Sequence, residues 1–144
     1  MNHLKSFGLV AFCLLAITVT SCKKEIVAVQ EVDIETQLLG RWKITSILID
    51  GKEALVTTLS SCDLDNTIIL ETAGKGASDF GAIRCSASEP QTKALTWAWK
   101  DKAAKKFTIN DGDITELTIT EINSTAMKAD FVDVKKGIFT FVRQ

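Results

Sequence analysis

The sequence predicts an all-β protein whose eight strands form an antiparallel up-and-down barrel, preceded by a cleaved N-terminal signal peptide. Eight short runs rich in β-branched and aromatic residues predict the strands, because Gly, Asp, Asn and Lys separate these runs as they do at turns. Apolar and polar residues alternate within the runs, as in a strand with one buried face. Eight such strands close into a barrel just wide enough to be filled by side chains or to hold one small ligand.

The N-terminal residues 1–21 have the layout of a secretory signal peptide. A short basic segment containing His3 and Lys5 precedes an apolar run over residues 7–20, and small residues lead to Cys22. The run is shorter than a transmembrane helix, which needs about 20 apolar residues. We therefore expect residues 1–21 to be removed during export.

The segment Val19-Thr20-Ser21-Cys22 resembles the lipobox of bacterial lipoproteins, in which an aliphatic, a variable and a small residue precede the lipidated cysteine. The resemblance implies cleavage before Cys22 and acyl chains, palmitate among them, on that cysteine. One acyl chain binds a membrane only marginally, whereas several anchor a protein stably. Lys23, which follows the cysteine in place of an aspartate, implies by analogy with Gram-negative lipoproteins a location in the bacterial outer membrane, facing the periplasm or the cell surface.

Residues 22–36 are interpreted as the lipidated N-terminus and a tether, and residues 37–144 as a single domain. The tether sequence lacks Gly and Pro, and its valines and isoleucines alternate only loosely with charged residues. Fully extended, it spans up to about 45 Å. The alternative is that "IVAVQEV", residues 26–32, adds an edge strand to the domain.

The predicted strands follow one another along the domain, with turns between them. Asp50-Gly51, Asp111-Gly112 and Lys136-Gly137 are predicted hairpin turns, because glycine supplies the positive φ that tight turns need. The longest gap holds "LVTTLSS", residues 55–61, interpreted as a short helix or a lid over one end of the barrel. The eight strands are predicted at residues 41–49, 66–71, 79–85, 94–100, 106–110, 113–120, 125–131 and 137–143.

Alternation assigns one row of side chains in each strand to the inner face of the barrel, since successive side chains point to opposite sides. In "ALTWAWK", residues 94–100, this row consists of Leu95, Trp97 and Trp99. The later strands continue it with Phe107 and Ile109, Leu117 and Ile119, Met127, Ala129 and Phe131, and Phe139 and Phe141.

Charge and composition exclude several functional classes. Removal of residues 1–21 takes away Lys5, so that 16 of the 17 basic residues remain against 18 acidic ones, a formal charge of −2. A nucleic-acid partner is therefore not expected, because it would require a basic face. The only histidine, His3, also leaves, which excludes nucleophiles and zinc sites that depend on histidine. We expect no catalytic residue, no metal and no cofactor.

Two cysteines besides Cys22 remain in the exported chain, Cys62 and Cys85. An even pair in an oxidising compartment predicts one disulfide, which would stabilise the fold by roughly 3–4 kcal/mol on the chain-entropy model. Two free thiols are the alternative. A metal site is disfavoured, because two distant cysteines lack the paired spacing of a zinc motif.

The run "LLGRWKITS", residues 38–46, is similar to the first strand of the lipocalins, which opens with Gly-x-Trp, here Gly40, Arg41 and Trp42. Lipocalins also place an arginine of the last strand over that tryptophan, and the resemblance assigns this role to Arg143. It implies that Gly40, Trp42 and Arg143 close one end of a barrel.

More closely, residues 37–143 resemble the lipocalin-like domain lipoproteins of the Bacteroidetes. The segments that carry the likeness are "LLGRWKITSILIDGKE", "CDLDNTIIL", "CSASEP", "ALTWAWK" and "FTFVR". The molecular function of that family is mostly unassigned, so the resemblance implies little about activity. The strands here are shorter than those of lipocalins proper, which implies a shallower barrel.

A row of aromatic side chains is the predicted wall of a pocket for a small apolar or amphipathic ligand, since pockets in barrel mouths have such linings. The alternative is that these rings fill the core, because a small barrel must bury this aromatic volume. The predicted wall consists of Trp97, Trp99, Phe107, Phe139 and Phe141.

Two charged patterns have simple structural explanations. Asp63 with Asp65, and "NDGD" at residues 110–113, place oxygen atoms at alternate positions as in calcium loops, but neither continues to a distal glutamate. "KAAKK", residues 102–106, together with Lys100, offers cations to an anionic ligand. We expect turns in the first case and a solvated loop in the second.

The predicted function is the binding of a small apolar or amphipathic ligand by a membrane-anchored lipoprotein that is not an enzyme. Its expected partners are the membrane, through the N-terminal lipid, and this ligand. The alternative function is a filled-barrel protein-binding or inhibitor module of the cell envelope. Such a module would recognise an envelope protein through loops such as 86–93 and 101–105.

Overall fold

The structure, a computed structural model, describes residues 32–132 and 135–144. Their regular elements are α1 Ile34–Leu38, β1 Gly40–Ile49, β2 Lys52–Glu53, α2 Leu55–Thr58, β3 Thr67–Leu70, β4 Lys75–Asp79, β5 Thr92–Asp101, β6 Lys106–Asn110, β7 Ile114–Ile122, β8 Ala126–Val132 and β9 Lys136–Arg143. A 3-10 turn, Thr72–Gly74, precedes β4. Neither helix of the described residues has the length and hydropathy that a membrane span requires.

Eight of the strands close into an antiparallel barrel in which successive strands pair with each other. Their order is β1-β3-β4-β5-β6-β7-β8-β9, and β9 returns to pair with β1. The two-residue β2 folds back on the end of β1 through Asp50 and Gly51, whose φ angles of 52° and 76° make the predicted tight turn. The predicted fold class, an eight-stranded antiparallel barrel, is confirmed.

The core lies inside the barrel, where the alternating rows of the strands meet. The strand register sets Trp97 opposite Ile109, and Met127 opposite Phe141, on the inner face. Each fully buried side chain of this size contributes about 1.5–3 kcal/mol relative to an exposed one. The buried cluster consists of Leu38, Trp42, Leu70, Leu95, Trp97, Phe107, Ile109, Leu117, Ile119, Met127, Ala129 and Phe141.

Two local predictions are wrong. The strand predicted at residues 79–85 lies instead at 75–79, because the barrel pairs the small residues "KGASD" with β3 and β5, and residues 80–85 belong to a connection. Lys136 and Gly137, predicted to form a turn, lie in β9. Gly137 is opposite Phe131, whose ring occupies the space that a Cβ at position 137 would need.

Helix α1 lies partly in the segment interpreted as a tether. The signal peptide, Cys22 and the tether up to residue 31 are outside the described residues. Asp33 caps the helix, because its Oδ2 accepts hydrogen bonds from the amides of Glu35 (3.1 Å) and Thr36 (3.4 Å). Ile34 and Leu38, four residues apart, share one face, and Leu38 is fully buried in the core.

The two ends of the barrel carry different connections. The closed end consists of α1 and of residues 71–74, 102–105 and 123–125. The open end consists of the connections at residues 50–66, 80–91 and 111–113, together with the end of β8 and the start of β9. Each strand joins the two ends, so every functional side chain can be placed at one end or the other.

Candidate functional site

The closed end is sealed by Trp42 and Arg143. Trp42 is 1% exposed, and its Nε1 donates a hydrogen bond of 2.7 Å to the Leu38 carbonyl. The Arg143 guanidinium lies 4.2 Å from the centre of the Trp42 ring, and its Nη1 donates to the Leu39 carbonyl at 2.6 Å. Gly40 has a φ of 132°, and a Cβ at this position would overlap Nη1 of Arg143. The residues expected to close the barrel therefore contact one another.

Three residues of the predicted ligand wall are buried in the core. Trp97 is 5% exposed, Phe107 0% and Phe141 2%. The Nε1 of Trp97 donates hydrogen bonds to the carbonyls of Glu71 (2.9 Å) and Lys75 (3.1 Å), which direct the indole toward the closed end. In this barrel the three side chains fill the core, which is the alternative that the sequence left open.

The other two residues of the predicted wall lie toward opposite ends and are partly exposed. Trp99 is at the closed end, where its Nε1 lies 3.3 Å from Oε2 of Glu35 on α1. Phe139 lies toward the open end, with 4.1 Å between its ring centre and that of Phe131, on which it stacks. Of the five residues, Phe139 is therefore the one that a ligand entering from the open end can reach.

The inner face near the open end remains accessible to solvent. Cross-strand pairing places Ile68 and Ser78 on the same face as Trp42, and Ile49 on the same face as Gly137 and Phe131. Mainly apolar, partly exposed side chains of this kind can contact a small apolar molecule. We call these side chains, which are all partly exposed, the mouth: Ile49, Ile68, Ser78, Phe131 and Phe139.

Sequence reasoning missed three residues of the mouth. Alternation within "NTIILE" already places Ile68 and Leu70 on one face, but it gives no sign of which of the two is exposed. The assignment of Ser78 requires the register of β4, which the sequence prediction did not contain. Ile49 takes its inner position from the bulge in β1 between Ile44 and Ser46, which shifts the alternation.

Two cross-links join the rim connections of the open end. The predicted disulfide is confirmed, since Cys62 is bonded to Cys85 with 5.1 Å between their Cα atoms. Oδ2 of Asp65 links the same two connections by accepting hydrogen bonds from the amides of Ala82 (2.7 Å) and Ile83 (3.2 Å). The hydrogen bond from Ala82 is the main cause that lowers the pKa of the Asp65 carboxyl. The rim is thus held covalently and by a charged acceptor.

Glu53 covers the edge of β1 beyond its pairing with β3, which spans residues 40–43. The Glu53 carboxylate accepts hydrogen bonds from the Ser46 hydroxyl (2.6 Å) and from the amides of Ile47 (3.2 Å) and Leu55 (3.0 Å). The Ser46 hydroxyl, followed by the Leu55 amide, lowers the pKa of Glu53. A side chain thus satisfies a backbone donor of β1, the Ile47 amide, that a longer β3 would otherwise pair.

The cavities on the surface of the described part of the chain include three at the ends of the barrel. Two of them, of about 520 and 580 Å³, adjoin α1 at the closed end and share Val32 and Ile122. The third, of about 430 Å³, lies on the outer wall at the open end. We call it the outer groove, and its apolar wall includes Leu48, Val132 and Ile138. It is a second surface that a small ligand can use, so a binding experiment must separate it from the mouth.

The acidic stretches considered for calcium form turns. Oδ1 of Asp63 accepts a hydrogen bond of 3.0 Å from the Asn66 amide group, and Oδ1 of Asn110 accepts one of 3.1 Å from the Gly112 amide. Asp63 also lies close to both cysteine sulfurs, but the two sulfurs are bonded to each other. These side chains therefore have structural explanations.

Three lysines of the closed end are engaged in ion pairs. Lys102 Nζ lies 3.2 Å from Asp33 and 2.9 Å from Glu35, and these contacts, that with Glu35 first, raise the pKa of Lys102. Lys100 and Lys106 both pair with Glu116. The predicted partner loops 86–93 and 101–105 lie at the open and the closed end respectively, so they do not form one surface.

We expect the free energy of unfolding to decrease as the pH is lowered through the range in which carboxyl groups titrate. A carboxyl whose pKa is lowered in the folded state stabilises the fold at pH values above its unfolded pKa, which is 3.8 for Asp and 4.5 for Glu. This contribution is lost as the pH falls through the pKa of the folded state. Urea midpoints at about pH 7 and about pH 3 measure the effect. Unchanged midpoints would contradict the prediction. The carboxyls concerned are Asp33, Glu53, Asp65, Asp79 and Glu116.

Asp79 provides the control for this experiment. Its pKa is lowered first by the hydrogen bond from Arg41, at 2.6 Å, and then by the one from Gln91, at 2.8 Å. The variant Asp79→Asn lacks the ionisable group, so its midpoint is expected to depend less on pH than that of the unmodified protein.

Comparison with known proteins supports the architecture. The family model of the lipocalin-like domain matches residues 38–129, which include Gly40, Trp42 and both cysteines of the disulfide. Searches of the curated proteins and of the solved structures found no match. Because the family match covers more than half of the chain and the barrel has the corresponding strand order, the chain belongs to the lipocalin-like domain family.

Proposed function

We propose that this protein binds a small apolar or amphipathic molecule at the mouth of its barrel. The observation that carries the proposal is the contrast between the two ends. Trp42 and Arg143 seal the closed end, whereas Ile49, Ile68 and Phe139 stay accessible at the other. Members of this family are typically binding proteins rather than enzymes, which agrees with the proposal.

The proposal includes a lipid anchor at Cys22 and a location in the bacterial outer membrane. It is supported by the lipobox at residues 19–22 and by the lysine that follows it. Several acyl chains on one cysteine would hold the protein stably at the bilayer surface. The barrel would then act as a membrane-attached carrier or receptor of its ligand.

A pair of neighbouring substitutions tests whether the mouth is the binding surface. Residues 23–144 contain the whole compact unit that starts at residue 31, so this fragment is titrated with the neutral fluorophore 1-aminoanthracene. Ile49 faces the mouth and Leu48 the outer groove, and both are partly exposed. We expect Ile49→Glu to weaken binding about tenfold or more, because it puts a charge against a bound apolar group, and Leu48→Glu to leave binding unchanged.

The outcomes separate three situations. Weakening by Leu48→Glu alone would move the ligand to the outer groove and contradict the proposal. Absence of saturable binding, together with no lipid extracted from the natively purified fragment, would contradict ligand binding itself. Thermal melting of both variants checks the fold, and Ile49→Ala replaces Ile49→Glu if the charged variant does not fold.

A second candidate function, a filled barrel that binds an envelope protein, is favoured by the apolar side chains of the open end. Four of the six large apolar residues that the described part of the chain exposes lie there, one on or beside each connection. Such residues are available to a partner that covers the open end. They are Val56, Ile83, Ile114 and Val132.

A further inference from the structure

Charge on the inner face of the described strands is carried by three basic side chains, those of Lys52, Lys93 and Arg143. Cross-strand partners lie on the same face of the sheet. Trp42 is paired with Ile68, Ile68 with Ser78, and Ser78 with Lys93, so Lys93 lies on the inner face, at the open end. Arg143 lies on the same face at the closed end. Lys52 of β2 is the cross-strand partner of Ile49 and therefore shares its face. Among the described strand residues, every other inner-facing position carries an uncharged side chain.

Two of these basic side chains, Arg143 and Lys93, differ in what they contact. Arg143 is committed to the closed end, where it stacks on Trp42 and donates to the carbonyls of Gln37 and Leu39. Lys93 is exposed, and its Nζ lies 3.3 Å from the place that a Cβ on Gly112 would occupy, beside the β6–β7 turn. No carboxylate of the described residues lies within the 4.0 Å of an ion pair with Lys93 Nζ.

Two acidic residues near Lys93 carry the opposite charge. Asp111 and Asp113 flank Gly112 on the turn that Lys93 approaches, and their exposed carboxylates are screened by solvent and salt. Both lie in the β6–β7 connection, outside the strands, whereas Lys93 shares the inner-facing row of β5 with Leu95 and Trp97. The inner-facing positions of the strands themselves therefore carry only positive charge.

We infer that the ligand of the mouth is an anionic amphiphile, whose tail packs on the apolar side chains of the mouth and whose carboxylate or phosphate group pairs with Lys93. This inference rests on the proposed function, since it assigns the chemical class of the same ligand. An exposed ion pair adds only modestly to affinity. Lys93 therefore mainly sets the preference for one head group among amphiphiles of equal chain length.

Competition among three amphiphiles of equal chain length tests the inference. Dodecanoate, dodecanol and dodecylamine, each below its micellar concentration, displace 1-aminoanthracene from residues 23–144. We expect dodecanoate to displace the probe at about three- to tenfold lower concentration than dodecanol, and dodecylamine to be the weakest. Lys93→Met is expected to abolish the preference, and Lys93→Arg to keep it. Lys136→Met, which removes an exposed lysine of the outer groove, is the matched control and is expected to keep it too.

Different results would contradict the proposed ligand binding and the inferred anionic class of the ligand. If the three amphiphiles compete equally, the anionic class is wrong while ligand binding stands. If Lys93→Met keeps the preference for dodecanoate, the pairing of the anionic group with Lys93 is wrong. If none of them displaces the probe and the probe itself does not bind, ligand binding at the mouth is wrong and the inference falls with it. The same titration with dodecyl phosphate distinguishes a phosphate group from a carboxylate as the preferred head.

Discussion

Replacing Trp42 with alanine is expected to lower the free energy of unfolding by about 3–5 kcal/mol, the usual cost of removing a buried large side chain. The indole is 1% exposed, and it also donates a hydrogen bond to the Leu38 carbonyl and supports the guanidinium of Arg143. A small domain has only about 5–15 kcal/mol in total, so the variant is expected to lose a large fraction of its stability. Urea unfolding followed by circular dichroism measures the change.

The variant Trp42→Phe separates the ring from its hydrogen bond. Phenylalanine keeps an aromatic surface under Arg143 but cannot donate to Leu38, so a smaller loss of about 1–2 kcal/mol is expected. If alanine costs no more than phenylalanine, the cavity argument for Trp42 is wrong. Trp99→Ala, at a partly exposed indole of the same end, is expected to cost less than Trp42→Ala.

The second large effect is expected from the double substitution of Cys62 and Cys85 by serine. The disulfide closes a loop with a sequence separation of 23 residues, and removing a native disulfide typically costs about 2–5 kcal/mol. Chemical denaturation of the oxidised protein and of the variant measures the difference.

Reduction of the unmodified protein is the control for this double variant. A reducing agent should lower the stability of the unmodified protein to that of the variant and leave the variant itself unchanged. Equal midpoints for the oxidised protein and the variant would contradict the prediction. Asp65 joins the same connections without a covalent bond, so the rim of the variant is expected to keep part of its order.

Most of the barrel could be predicted from the sequence, because apolar and polar residues alternate in strands that have one buried face. "ALTWAWK" and "GIFTFVR" place large apolar residues at every second position, and these become inner-facing side chains of β5 and β9. β4 gave no such signal, since "KGASD" has neither β-branched nor aromatic residues. Gly76 in this strand faces Ile69 and Leu95 so closely that a Cβ would overlap both, so tertiary packing rather than propensity makes this segment a strand.

The site was less predictable than the fold, because it depends on which inner side chains remain accessible. Trp97 and Phe107 were predicted to line the pocket because they are aromatic. Large aromatic side chains also fill the core of a small barrel, and Trp97 and Phe107 are both buried there. Lys93 follows Thr92 in a stretch of polar residues, and only the pairing of β4 with β5 places it on the inner face. Helix α1 did carry a local signal, namely Asp33 as the cap of Ile34 and Leu38.

The seam between the first and last strands determines when this protein can finish folding. β1 pairs with β9 from Trp42 opposite Arg143 to Ile49 opposite Gly137, so its partners lie about a hundred positions further along the chain. A growing chain therefore exposes the unpaired edges of β1 and β8 until its last residues are available. For the exported chain that we propose, late closure would be an advantage, because the barrel would not close before its last strand had crossed the membrane.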